Sequence, residues 1–155
     1  MKFNKIVKTL TLAATLGLSQ MSFAGVDTQT DANDVILAGY DAVAYFTQSK
    51  AVEGTKEFTA VHKGAIYQFS SAENRDTFKA DPNKYEPAYG GYCAYGSTFG
   101  KKFEVNGKAF EIVDGTLYVN KSENVYEAWK QDIPTFIDQA DEKWKNIEFK
   151  APSEL

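Results

Sequence analysis

Apolar and polar positions along the chain change their spacing several times, and each spacing points to a different element. Val35–Leu37 and Val43–Phe46 are brief apolar runs on either side of Gly39-Tyr40-Asp41. Glu57–His62 and Ala65–Phe69 alternate and are rich in β-formers, with Lys63-Gly64 between them, which is the pattern of a hairpin. Ser70-Ser71-Ala72-Glu73 has capping-box spacing: a Ser hydroxyl can accept the amide three residues on while Glu73 reaches back. The helix so opened is expected to run through Phe78 and stop by Asp81, because Pro82 disfavours a helical residue before it. Residues 85–100 are rich in Gly and Tyr and read as a loop. A second hairpin follows, Ala109–Val113 and Thr116–Val119, joined by Asp114-Gly115. In the tail, Val125, Trp129, Ile133, Phe136, Ile137, Ala140, Trp144 and Ile147 keep three- and four-residue spacing and draw one apolar stripe. Ser122 is its expected cap. Asp132 is a fresh cap with Pro134 in the next first turn, predicting two helices or one bent helix. The expected class is α+β: small antiparallel β-hairpins packed with a short central helix and a C-terminal helical segment. No repeat, low-complexity tract or interdomain linker is read from the pattern. Residues 25–34 are polar and expected to be a flexible lead-in to one domain over residues 35–150.

The first 24 residues follow another logic. Lys2, Lys5 and Lys8 precede an apolar run from Thr9 to Leu18, and Ser22-Phe23-Ala24 ends on small residues at the −3 and −1 positions. That is the layout of a secretory signal peptide over residues 1–24. The alternative, a membrane anchor, is disfavoured because the run falls short of the roughly 20 residues that span a bilayer. The expected destination is the periplasm or the exterior of a bacterium, with no stable membrane anchor after cleavage. Removing 24 of 155 residues leaves 131, and since three Lys and no acid are lost, the net charge moves from −4 to −7. So acidic a surface lacks the cationic face that nucleic-acid binding requires.

Composition then limits the chemistry. With 43% hydrophobic and 14% aromatic residues the chain is not a disordered tail, a collagen repeat or a coiled coil, and its length suits one core. A single Cys excludes an intrachain disulfide framework and any all-cysteine metal cluster, and a single His excludes multi-His sites. The unusual stretch is Tyr85–Phe99. Gly90 and Gly91 allow positive φ or close approach of another group, and Cys93 lies between Tyr92 and Tyr95 with Tyr89 upstream. A thiolate in an aromatic wall suits Cu(I) or another thiophilic ion. The plainer alternative is that Cys93 is a small buried hydrophobe. In an oxidising compartment it is expected to be buried, liganded or paired to a partner. A nucleophilic Cys93 would need His62 as its base. Asp41 could ligate a hard ion or satisfy turn amides. No nucleophile elbow, phosphate loop, HExxH or CxxCH motif is present, and Asn120-Lys121-Ser122, though a sequon, reads as a helix cap.

Several segments together resemble the YHS-domain proteins, in their secreted single-domain branch. These are Gly39-Tyr40-Asp41-Ala42-Val43-Ala44-Tyr45-Phe46, Gly64-Ala65-Ile66-Tyr67-Gln68-Phe69-Ser70-Ser71, and Asp81-Pro82-Asn83-Lys84-Tyr85. Gly90-Gly91-Tyr92-Cys93-Ala94, Ile112–Asn120 and the Trp129-to-Trp144 tail continue the likeness over nearly all of residues 25–155. YHS domains are in turn similar to TRASH-type metal-binding modules, which occur with copper-transporting ATPases and metal sensors. The resemblance pairs their cysteine positions with Ala44, Ser70 and Asn74 here, so no thiol remains at any of them. Three expectations follow. The first is a periplasmic module holding a thiophilic metal, copper foremost, through Cys93 with His62 and Asp41 as further ligands and Tyr89, Gly90, Gly91, Tyr92 and Tyr95 lining the site. The second is a scaffold whose Tyr- and Gly-rich loop docks a periplasmic protein partner or a small ligand, with Cys93 structural. The third is an enzyme using Cys93 for redox or acyl chemistry.

Overall fold

The helix starts are where side-chain oxygens can take up free amides. Ser71 accepts the Asn74 amide at 3.1 Å and opens α2 (Ala72–Ala80), and Ser122 accepts that of Val125 at 3.3 Å and opens α5 (Glu123–Trp129). Asp132 caps α6 (Ile133–Ile147) with Pro134 in its first turn, so the apolar tail forms two helices joined by a single turn of 3-10 helix. The computed structural model that shows this describes residues 25–155; the signal peptide expected at residues 1–24 lies outside the described residues.

Strands β1 (Thr55–His62) and β2 (Ala65–Phe69) form one antiparallel hairpin, and β3 (Asn106–Val113) and β4 (Thr116–Asn120) form another. Helix α1 (Ala42–Gln48) precedes the first, α3 (Pro82–Tyr85) follows α2, and α4 (Ala94–Thr98) lies inside the stretch expected to be a loop. The class is α+β, as the pattern predicted.

The expectation of no repeat is overturned. Leu37-Ala38-Gly39 and Tyr89-Gly90-Gly91 are both runs of positive φ, at 58°, 52° and 83° and at 54°, 59° and 83°. Each run leads through a capping residue, Asp41 or Cys93, into a short helix. An eight-residue strand follows, then a left-handed turn (Lys63-Gly64 or Asp114-Gly115), a five-residue strand and a Ser-capped helix. The irregularity in pairing also recurs, between Thr55 and Thr59 and between Asn106 and Phe110. These counterparts lie 51 or 52 positions downstream, from residues 37–78 to residues 89–129. The two units share little sequence beyond Gly-Tyr-x-Ala at 39–42 and 91–94 and Gly-x-Ile/Leu-Tyr at 64–67 and 115–118, which is why periodicity did not show them.

Each unit buries its own aromatic centre. Phe78 of α2, with Tyr67 and Phe69, closes the first; Trp129 of α5, 51 positions on, closes the second against Tyr118. Both Phe78 and Trp129 are almost wholly excluded from solvent, and truncating such a ring to Ala costs about 3–5 kcal/mol. Helix α6 lays its apolar stripe over α4 and the second centre, contributing Phe136, Ile137, Ala140 and Trp144.

The polar lead-in is tied down more firmly than a frayed segment would be. The Asp27 amide donates to Glu148 O and the Gln29 amide to Gly90 O, both at 2.8 Å. The buried Lys102 ammonium donates to Asp27 Oδ2 at 3.0 Å and to Lys150 O at 2.6 Å, and lies over the rings of Tyr92 and Trp144. Charge pairing and backbone bonding thus join the two ends of the described chain.

Candidate functional site

The amide geometry of the first unit explains Asp41. Its Oδ1 accepts the Val43 and Ala44 amides at 2.9 and 3.2 Å, capping α1, and its Oδ2 accepts the Ser70 amide, the Ser70 hydroxyl and Asn74 Nδ2 at 2.8, 2.7 and 2.7 Å. A fully buried carboxylate is tolerable only with such a set of donors. With both oxygens engaged, Asp41 is a structural anchor, and the hard-ion role expected as one alternative is not the one its surroundings serve. The residues around it are also informative: Ala44, Ser70 and Asn74, the positions paired above with the cysteines of metal-binding modules, all lie at this one carboxylate.

Cys93 is the counterpart of Asp41 in the second unit, and its sulfur occupies a matching cradle. Sγ accepts the amides of Gly96 at 3.4 Å and Lys121 at 3.3 Å, which correspond to Ala44 and Ser70. One sulfur replaces two carboxylate oxygens, and Asn120 makes up the difference: its Oδ1 takes the Tyr95 amide at 3.1 Å and lies 3.6 Å from Sγ as acceptor for the S–H. Burial pushes the thiol pKa up, outweighing the amides that favour the thiolate. Such a thiol is a poor nucleophile. Beside it is a small apolar hollow of about 130 Å³, walled by Tyr95, Phe99, Phe103 and the counterparts of Ala44, Ser70 and Asn74, namely Gly96, Lys121 and Val125. None of those three offers a metal ligand.

His62 stands elsewhere. At the end of β1 its Nε2 lies 2.9 Å from Glu86 Oε2, and Lys63 Nζ lies 2.9 Å from Glu86 Oε1. Its contacts are Glu86, Tyr67 and Phe78, not Cys93, so the Cys–His dyad is not formed. Nor do Cys93, His62 and Asp41 converge: each is engaged by a separate set of partners, and among the described residues no three His, Cys, Asp or Glu side chains are grouped to hold a metal ion. The expected three-ligand metal site is therefore not assembled.

What does assemble is a cavity of about 220 Å³ between the first hairpin, the Glu86–Gly90 segment and α6. His62, Lys63, Tyr67 and Glu86 form its polar side; Tyr89 and Trp144 supply rings whose centroids lie 5.6 Å apart, and Thr28 covers it from the N-terminal segment. Tyr89 is held at φ 54°, an unfavourable region for a bulky residue, by its hydroxyl bond to Asp141 at 2.9 Å and by packing on Tyr118 and Trp144. Gly90, at φ 59°, lets Asp27 O approach so closely that a Cβ there would sit 2.6 Å from it. Against protein-family models, curated proteins and solved structures alike, the chain has no match.

The loop residues expected to line one site thus divide among several. Tyr89 and Gly90 border the cavity, whereas Cys93 and Tyr95 border the apolar hollow. Gly91 packs against Ile36, and Tyr92 donates its hydroxyl to Asp27 Oδ2 at 2.7 Å. Sequence reasoning missed Lys63, Tyr67, Glu86 and Trp144. Lys63 read as a turn residue, Tyr67 as a strand residue and Trp144 as part of a core stripe; only Glu86, a charge inside the aromatic stretch, carried any signal.

Proposed function

We propose that the chain is an exported, YHS-like binding module whose ligand is a small organic molecule held in the cavity at His62, Tyr67, Glu86, Tyr89 and Trp144. The observation that carries this reading is the convergence of His62, Lys63 and Glu86 with aromatic rings on one concavity, the usual composition of a small-molecule site. The YHS-like part is supported by the way Ala44, Ser70 and Asn74, far apart in sequence, gather round Asp41. Export rests on the layout of residues 1–24 and predicts a protein in the periplasmic fraction whose N-terminus is Gly25. Among the described residues no helix is long and apolar enough to cross a membrane. The test of the site is a fragment screen read by amide NMR. Shifts gathered on Lys63, Tyr67, Glu86 and Trp144 are expected; shifts confined to Cys93, Tyr95 and Val125 would move the site to the other unit.

A second reading, a thiophilic metal such as copper at Cys93, has one observation in its favour: the sulfur borders a hollow whose walls occupy the second unit's versions of the family's metal positions. It has one protein donor and no second. Copper(I) uptake at micromolar concentration that is lost in Cys93→Ser is the result it requires, and failure to take up the metal ends it.

A further inference from the structure

The cavity's hydrogen-bonding groups are unequally spent. Glu86, the only carboxylate among the described residues that line it, has Oε2 facing His62 Nε2 and both oxygens within 2.9 Å of Lys63 Nζ. The donors are less occupied. Tyr67 is 3% exposed and lines the cavity, yet its hydroxyl has no hydrogen-bond partner among the described residues. The Glu86 charge lies close enough to join burial in raising the Tyr67 pKa well above its ordinary value, so that phenol keeps its proton and remains a donor. Among the described residues the indole N–H of Trp144 likewise has no hydrogen-bond partner, and Lys63, half-exposed at the mouth and within 2.9 Å of both Glu86 oxygens, keeps a further N–H to give. The Tyr67 hydroxyl is not one of the fully enclosed unpartnered polar atoms, which among the described residues are Gln29 Oε1, Asn120 Nδ2 and Trp129 Nε1, so it opens on the cavity and a ligand that accepts from it takes the place of solvent.

From this balance we infer that the cavity takes a small planar carboxylate, such as an aromatic acid of one ring, whose carboxylate accepts from Tyr67 and Lys63 while its ring packs against Tyr89 and Trp144. The inference rests on the cavity being the ligand site. The volume of about 220 Å³ limits the ligand to one ring with a short substituent. The Glu86 charge does not oppose the anion unaided, because Lys63 lies within 2.9 Å of it. Lys63 is also the group that favours a carboxylate over a neutral or cationic relative of the same shape.

The experiment titrates the purified chain with benzoate and with benzylamine, followed by amide NMR. Benzoate is expected to bind at least about tenfold more tightly and to shift Lys63, Tyr67 and Trp144. Tyr67→Phe, which keeps the ring, should weaken benzoate about tenfold, and Lys63→Met should erase the preference over benzylamine. If Tyr67→Phe does not fold, the half-exposed Lys63→Met decides alone. Benzylamine binding as tightly as benzoate at these residues overturns the carboxylate inference and leaves the cavity reading standing. Neither probe shifting them overturns both.

Discussion

Asp41 and Cys93 show how one fold position can be filled by different chemistry. Both cap a short helix and both receive amides from that helix and from the end of the following hairpin. In the first unit the second carboxylate oxygen is met by Ser70 and Asn74; in the second, Lys121 and Val125 stand in those places and a hollow is left. The carboxylate is thus the more demanding occupant. Asp41→Asn sets an amide NH2 or a weaker acceptor against donors arranged for an anion, and should destabilise the protein by about 3 kcal/mol. A urea midpoint lowered by that free energy divided by the unchanged slope is the expected result, and an unchanged midpoint would refute the anchoring role. Cys93→Ser keeps an acceptor in a cradle built for a neutral group and should cost less.

At the scale of elements, the matched caps give a paired prediction. Ser71→Ala and Ser122→Ala each remove one side-chain acceptor at the start of the last helix of a unit, and each should cost about 1 kcal/mol in thermal or chemical unfolding. Markedly unequal losses would argue against equivalent roles. The left-handed run at Tyr89-Gly90-Gly91 is where the N-terminal segment attaches, through Gln29 N to Gly90 O. Gly90→Ala adds a Cβ against Asp27 O at a φ that disfavours it, so hydrogen exchange at the Gln29 amide should accelerate while the hairpin amides of β1 and β2 keep their protection. Protection retained at Gln29 would show that the segment is held mainly by Lys102 and Asp27.

Across the whole molecule, burial sets the response to alkali. The Cys93 thiol and the Tyr45, Tyr67 and Tyr89 phenols all have pKa values raised first by desolvation, so each holds its proton in the folded chain at a pH where the unfolded chain releases it. Their contribution to stability is therefore complete below about pH 9, the ordinary thiol value, and falls progressively as the pH rises past 9.0 for Cys and 10.0 for Tyr toward the raised values of the folded chain. Unfolding free energy measured from pH 7 to 11 should fall with a steepening slope, and a flat profile would contradict the burial of these groups.

The sequence by itself determined what depends on neighbours in the chain. Hairpin turns, the Ser122 and Asp132 caps, the Pro134 break and the apolar stripe are written in residues a few positions apart and emerged where their spacing predicted, whereas the cap of α2 fell to Ser71 and the Ser70 hydroxyl turned to Asp41 instead of forming a capping box with Glu73. The α+β class follows from them. Only the tertiary structure decided which side chains meet. Asp41 finds Ser70 and Asn74 across 29 and 33 positions, and His62 finds Glu86 across 24. Periodicity holds no record of such separations, so Cys93, His62 and Asp41 could be placed in one site until the fold set them among different partners. The repeated unit was hidden for a related reason. Backbone conformation and register recur with few shared side chains, because a left-handed run, a capped helix and a bulged hairpin accept many residues that satisfy the same geometry.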